Sequence, residues 1–273
     1  MQIEICGGCG NCMTHTVPGE KAKGGGYEDK ECPSCGATLS SRNVAYETLI
    51  SDTLQGPYIV PYVDGRGLIH RYDAPPYRYL RTDLSPLLPR LKRADLFRGP
   101  KILIRQAGVG VVATIVPDDS RCPQSVYIYR VTQEARDLGY SNEFLLACLV
   151  SRTMNFIVMK RFAEIDPARA FAKLTHARIA LLPIPALSRE EDKAVARDIA
   201  TLAQQMLSGQ QLGSQRDYQI ETLLRGLWGI TPDEGRYING FFSSLPDGQA
   251  VRDLFPEGAP TSVPAALAGI SGP

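Results

Sequence analysis

No run of eighteen apolar residues occurs in this chain of 273, so the sequence offers no membrane-spanning helix. Its first residues, Met1-Gln2-Ile3-Glu4-Ile5, lack the basic start and apolar core of a secretory signal, and a cytoplasmic protein is expected. Net charge is nearly absent too: 30 basic residues oppose 29 acidic ones, and the balance of +1 points to no class of partner. No internal repeat is visible, which argues against a solenoid. A defensible catalytic constellation is also missing. His70 and His176 stand alone, and Cys122 and Cys148 are single thiols with no histidine nearby in sequence, so no nucleophile and base are paired. The length suits one large domain or two modest ones, and 44% apolar residues suffice for a sizeable core.

What is present begins with cysteine. Five of the seven cysteines fall in the first 35 residues, and Cys6-Gly7-Gly8-Cys9-Gly10 and Cys32-Pro33-Ser34-Cys35-Gly36 are both Cys-x-x-Cys-Gly. Each can form a tight knuckle whose glycine supplies the positive φ that closes the turn. In a reducing compartment such pairs more often hold a metal than a disulfide. Four thiolates are the tetrahedral set that Zn²⁺ prefers, and a unit of some 40 residues needs a metal to hold it. A small N-terminal zinc ribbon over 1–40 is therefore expected, with Cys6, Cys9, Cys32 and Cys35 as ligands to a structural Zn²⁺. Cys12 competes with Cys6, because Cys9 and Cys12 also form a pair, and their spacing to Cys32 is nearer the usual ribbon range. His15 is a further candidate.

A linker with a short helix over Asn43–Leu54 is expected next. The window from Arg66 to Arg105 then carries ten basic residues against three acidic ones, a net +7, with Tyr72, Tyr77 and Tyr79 interleaved. Arginine suits bidentate contact with phosphates and guanine edges, so the window fits double-stranded DNA. The candidate contacts are Arg66, Arg71, Arg78, Arg81, Arg90, Arg93 and Arg105. Asp73-Ala74-Pro75-Pro76-Tyr77 in the same window looks like the Pro-Pro-Tyr motif of amino-methyltransferases. That motif needs Asn, Asp or Ser before the first proline, where Ala74 stands, and no glycine-rich cofactor loop precedes it. Pro117-Asp118 with Glu191-Asp192-Lys193 is nuclease-like only in outline, since the acids lie far apart and Ser188-Arg189-Glu190-Glu191 reads as a helix capping box.

Residues 100–185 organise the rest. Lys101–Arg105, Val109–Val116 and Val126–Val131 read as strands, Asn142–Arg161 as a helix capped by Asn142, and Ala177–Pro185 as a closing strand. That order resembles the TaqI-like specificity domain. The resemblance rests on Lys101-Ile102-Leu103-Ile104-Arg105, the tyrosine strand, Phe144-Leu145-Leu146-Ala147-Cys148-Leu149-Val150-Ser151-Arg152 and Leu182-Pro183-Ile184-Pro185, and spans roughly Ile59 to Ala186. It implies the DNA target-recognition module of N6-adenine methyltransferases and restriction-modification enzymes, similar in architecture to the specificity subunits of type I systems.

Three helices are expected beyond it: Ser188 to about Leu207, Asp217 to Trp228 ending at Gly229, and one opened by Thr231-Pro232-Asp233-Glu234. The resemblance makes 187–255 a segment that docks a methyltransferase; a cap on the protein's own core is the other reading. Past Phe255 the chain is Pro, Gly, Ala and Ser, and disorder is expected. The fold expected is α/β (α+β), with a recognition domain over 41–186. The function expected is a non-catalytic DNA recognition subunit that binds a separate methyltransferase or restriction subunit. With one recognition domain, it would read a short site or pair with a second copy. The alternative is a zinc-ribbon protein–protein adaptor.

Overall fold

The structure is a computed structural model, and it describes residues 2–6, 8–9, 12–16, 30–32, 35–39, 44–63, 69, 71–72, 77–81, 83, 94–107, 110–162, 174–209 and 213–244. They form helices and small antiparallel sheets, an α+β architecture, in two compact units. The first unit draws its described residues from 1–64, 76–99 and 119–122, the second from 65–75, 100–118 and 123–273. The boundary expected near residue 186 falls inside the second unit.

In the first unit, β1 (Gln2–Cys6) is the central strand of a three-stranded sheet. It pairs antiparallel with β2 (Cys12–Thr16) on one side and β5 (Val44–Thr48) on the other. Two short strands, β3 (Lys30–Glu31) and β4 (Thr38–Leu39), form a separate ribbon. A third sheet has the order β6 (Ile50–Ser51), β8 (Arg78–Arg81), β7 (Tyr58–Tyr62). Pro61 sits in edge strand β7, where its missing N–H costs least, and its carbonyl accepts the Arg121 N–H at 2.9 Å. The helix expected over Asn43–Leu54 is corrected to strands β5 and β6. Val44, Tyr46, Thr48 and Ile50 alternate with period two, and β-branched and aromatic residues at that period favour a pleated strand.

The second unit is built on β9 (Lys101–Arg105), flanked by β10 (Ala113–Val116) and β11 (Val126–Tyr129), all antiparallel. Ile102, Ile104, Ala113, Ile115 and Tyr127 share the face that packs on helices. Those helices are α2 (Asn142–Val150), α3 (Arg152–Phe162), α5 (Glu190–Leu207) and α6 (Gly213–Trp228). Ala196, Ile199, Ala203, Ile220 and Leu224 lie in the same core cluster as Phe144 and Leu146, so α5 and α6 complete this core. The short helices α1 (Gln133–Asp137) and α4 (His176–Ala180) and the last helix, α7 (Pro232–Ser244), complete the element list.

Several elements differ from the sequence reading for local reasons. The single helix expected over Asn142–Arg161 is two, broken at Ser151, whose ψ of 156° is extended. The Ser151 hydroxyl donates to the Cys148 carbonyl at 2.9 Å and accepts the Met154 N–H at 3.0 Å, so one residue ends α2 and starts α3. Ser141, not Asn142, caps α2, accepting the Phe144 N–H; Asn142 instead turns its carbonyl oxygen to the Val131 N–H. The strand expected over Ala177–Pro185 is α4 followed by chain that joins no sheet. Pro183 and Pro185 have no N–H to give a ladder. Their carbonyls accept from the Trp228 indole at 3.2 Å and the Tyr140 hydroxyl at 3.0 Å. Helix α5 begins one residue later than the box at Ser188 predicted, with Asp192 accepting the Arg189 N–H. Gly229, at φ +66°, ends α6 as expected, and Thr231 caps α7 by accepting the Glu234 N–H. The segments 73–76, 108–109 and beyond 244 lie outside the described residues, and with them Ala74 and the tail expected to be disordered.

Candidate functional sites

Four thiols of the first unit converge. Cys6 ends β1, Cys9 lies in the turn after it, Cys32 follows β3, and Cys35 lies in the turn before β4. Their sulfurs all lie within 4.8 Å of one another. Cys6 Sγ is 3.9 Å from Cys35 Sγ, and Cys9 Sγ is 3.7 Å from Cys32 Sγ. A tetrahedron with Zn–S bonds of about 2.3 Å has edges of roughly 3.8 Å, so the spacing fits a four-thiolate site. The backbone closes each knuckle. The Gly8 N–H points at Cys6 Sγ at 3.4 Å, and Gly36, at φ +70°, donates to the Cys32 carbonyl at 2.8 Å. The Ala37 N–H favours the Cys35 thiolate. The Cys9 thiol, some desolvation, and the Cys32 and Cys6 thiols act the other way and win, pushing the metal-free Cys35 thiol up to about 12. A cation at the centre would reverse that balance. Cys6, Cys9, Cys32, Cys35, Cys122 and Cys148 form no disulfide. Cys12 and His15 lie on β2, with side chains outside the described residues.

The candidate DNA contacts separate into three kinds. Arg71 is internal: its Nε donates to the Val150 carbonyl at 2.8 Å, and its two terminal nitrogens donate to the two oxygens of Asp217, one of them at 2.8 Å. With its side chain 8% exposed, Arg71 is corrected from a DNA-facing residue to a structural one. Burial alone would make its charge harder to hold, but the Asp217 carboxylate more than offsets this and raises its proton affinity. Arg78 and Arg81 lie on β8 with side chains 31% and 13% exposed, paired with exposed Asp52 at 2.6 Å and with Asp83 at 2.6 Å. Arg105 closes β9, and among the described residues its guanidinium has no partner. Arg66, Arg90 and Arg93 lie outside the described residues.

Two of the residues singled out as nuclease-like or nucleophilic, Asp118 and Cys148, have structural surroundings. The Asp118 carbonyl receives the buried Lys101 ammonium, and Asp119 accepts the Gly99 N–H at 2.7 Å. Cys148 is fully buried, and burial pushes its thiol well above the ordinary range, where it is inert.

Residues 60–184 match the family model of the TaqI-like C-terminal specificity domain. The match starts and ends within two residues of the stretch that carries the resemblance in sequence. It covers residues of both units: β7, β8, the β10-β9-β11 sheet, α2, α3 and α4. No curated protein matches the chain. None of the helices of the described residues is long and apolar enough to cross a membrane.

One cluster in the matched region escaped the sequence reading, which left His176 isolated. The His176 ring lies 3.9 Å, centroid to centroid, from the Tyr127 ring, and its Nδ1 is 2.6 Å from the Tyr129 hydroxyl. Gln106 donates its side-chain N–H to the Tyr127 hydroxyl at 2.6 Å. The alternation Tyr127-Ile128-Tyr129 was the one available signal, because it places both tyrosines on one face of a strand. Nothing in sequence brings in a histidine 47 residues away.

Proposed function

We propose that the chain is a double-stranded DNA recognition subunit of a DNA adenine methyltransferase or restriction-modification complex, non-catalytic itself, with a structural Zn²⁺ on Cys6, Cys9, Cys32 and Cys35. The observation that carries the reading is the match of 60–184 to a specificity domain. The basic window supports it, though Arg71 no longer counts. Arg78 and Arg81 can each exchange an exposed carboxylate partner for a phosphate, because an ion pair that solvent reaches contributes little. Arg105 has no partner among the described residues. The catalytic partner would be a separate methyltransferase or restriction subunit. The converging thiols favour the metal, and bound Zn²⁺ would cross-link the two knuckles without taking part in chemistry.

The test is duplex DNA binding by the full chain at several salt concentrations, beside calorimetry with S-adenosylmethionine. Each phosphate contact adds about 0.9 to the slope of log affinity against log salt. Arg78→Ala or Arg81→Ala is expected to flatten that slope by about one unit if the residue meets phosphate, and the cofactor is expected to give no isotherm. Stoichiometric cofactor binding would overturn the non-catalytic assignment. No affinity for duplex at low salt would leave the adaptor reading in its place.

A further inference from the structure

Gln106, Tyr127, Tyr129 and His176 form a polar surface held unusually firmly for one with no evident task in the fold. The Gln106 backbone is fixed at both ends: its N–H donates to the Ser125 carbonyl at 3.0 Å, and its carbonyl accepts the Leu174 N–H at 2.9 Å. Its side-chain amide is fixed by Tyr127, whose ring is in turn set in the hydrophobic core. Tyr129 and the exposed His176 hold each other through the hydroxyl and Nδ1. Such mutual bonding removes rotamer freedom before any ligand arrives. Among the described residues, Gln106 Oε1, the second Gln106 amide N–H and His176 Nε2 have no partner. Arg105, next to Gln106, likewise presents an unpartnered guanidinium.

The chemistry of these vacant groups selects the ligand. A phosphate offers only acceptors, so a surface built to grip it would show donors alone. Here an amide with both a carbonyl and an N–H stands beside an imidazole edge and a guanidinium. That mixture matches base edges in the major groove, where adenine presents N7 and its amino group to a glutamine and guanine presents N7 and O6 to an arginine. We infer that Gln106, with Arg105 and the Tyr129–His176 pair beside it, is a base-reading element of the protein, setting sequence preference without contributing to phosphate binding. This rests on the recognition reading above and assigns it a specific surface.

The experiment selects bound molecules from a pool of duplexes with a randomised centre, using the full chain and its Gln106→Ala, Tyr129→Phe and His176→Ala variants. Each variant is first checked for a wild-type melting temperature. The wild-type chain is expected to enrich a motif. Gln106→Ala is expected to lose preference at one or two positions of that motif, with affinity for the enriched duplex down roughly 5- to 150-fold. Affinity for a scrambled duplex and the salt slope are expected to stay unchanged. Tyr129→Phe, which removes only the hydroxyl that orients His176, is expected to relax preference at a neighbouring position to the same degree as His176→Ala. An enriched motif that all three variants read as the wild type does would sink this inference and leave the recognition reading standing. A wild-type chain that enriches no motif would sink both.

Discussion

Replacing Arg71 with alanine would leave the Asp217 carboxylate buried, with its next cation, Arg152 Nη2, at 4.0 Å. Around this pair, Glu221 accepts the N–H groups of Arg152 and Thr153 and pairs with Arg225 at 3.0 Å, while Arg225 reaches Asn239 at 2.9 Å. Charges so enclosed contribute modestly as a set, because desolvation offsets much of their attraction, yet they are costly to break singly. Arg71→Ala is therefore expected to lose about 3–5 kcal/mol in urea unfolding. The double change Arg71→Met with Asp217→Leu is expected to recover most of that loss, since the carboxylate stranded by the single change is removed with its main partner. A double variant as unstable as the single one would count against this account. DNA bound by the folded fraction of Arg71→Ala should show the wild-type salt slope, which separates Arg71 from Arg78 and Arg81. Nothing in the sequence sets Arg71 apart from its neighbours in the basic window, because its carboxylate partner lies 146 residues away.

Helix ends give a sharper test at the scale of the element. At the start of α7 the Thr231 N–H donates to Glu234 at 2.8 Å, and the Thr231 hydroxyl does so at 2.8 Å as well. The backbone N–H first and the hydroxyl second hold the Glu234 carboxyl below its ordinary value. A carboxyl whose proton affinity falls on folding stabilises the fold above its unfolded pKa, and that contribution is lost as pH falls through the folded one. Glu234→Gln is thus expected to melt earlier than the wild type near neutrality, and the gap should close below about pH 4. Melting curves of both proteins across that range check it; a gap that persists undiminished at low pH would contradict it. Caps such as Thr231 are legible in sequence because they are local. So were α5, by its apolar stripe, α6, by its end at Gly229, and the strands β9, β10 and β11, as short aliphatic or aromatic runs. The break at Ser151 was not, since it depends on Glu221 arriving from α6 to take up the first N–H groups of α3. Short apolar runs were misread in both directions, a strand expected where α4 stands and a helix where β5 and β6 stand, because periodicity over so few residues does not separate the two.

For the whole molecule, the division into two units and the converging thiols make one expectation about metal. The second unit carries its own core, running from Ile102 and Phe144 to Ile199 and Leu224, and no cysteine of the thiol cluster belongs to it. The hairpins β1–β2 and β3–β4 bring the two knuckles together, and across the cluster the thiols meet only as weak hydrogen-bonding partners. The proposed zinc would replace those weak contacts with four metal–thiolate bonds and so tie the two knuckles to each other. The purified chain is expected to carry one zinc. A strong chelator, or Cys32→Ala, should release it and speed amide exchange in 2–6, 12–16 and 30–39. Exchange in α2, α5 and β9 should stay at the wild-type rate. Amide exchange read by mass spectrometry, with metal content measured on the same sample, distinguishes the outcomes. Slow exchange in both hairpins of metal-free protein would show that the thiols converge unaided. Loss of protection in α2 and β9 along with the hairpins would show instead that the metal holds the second core as well.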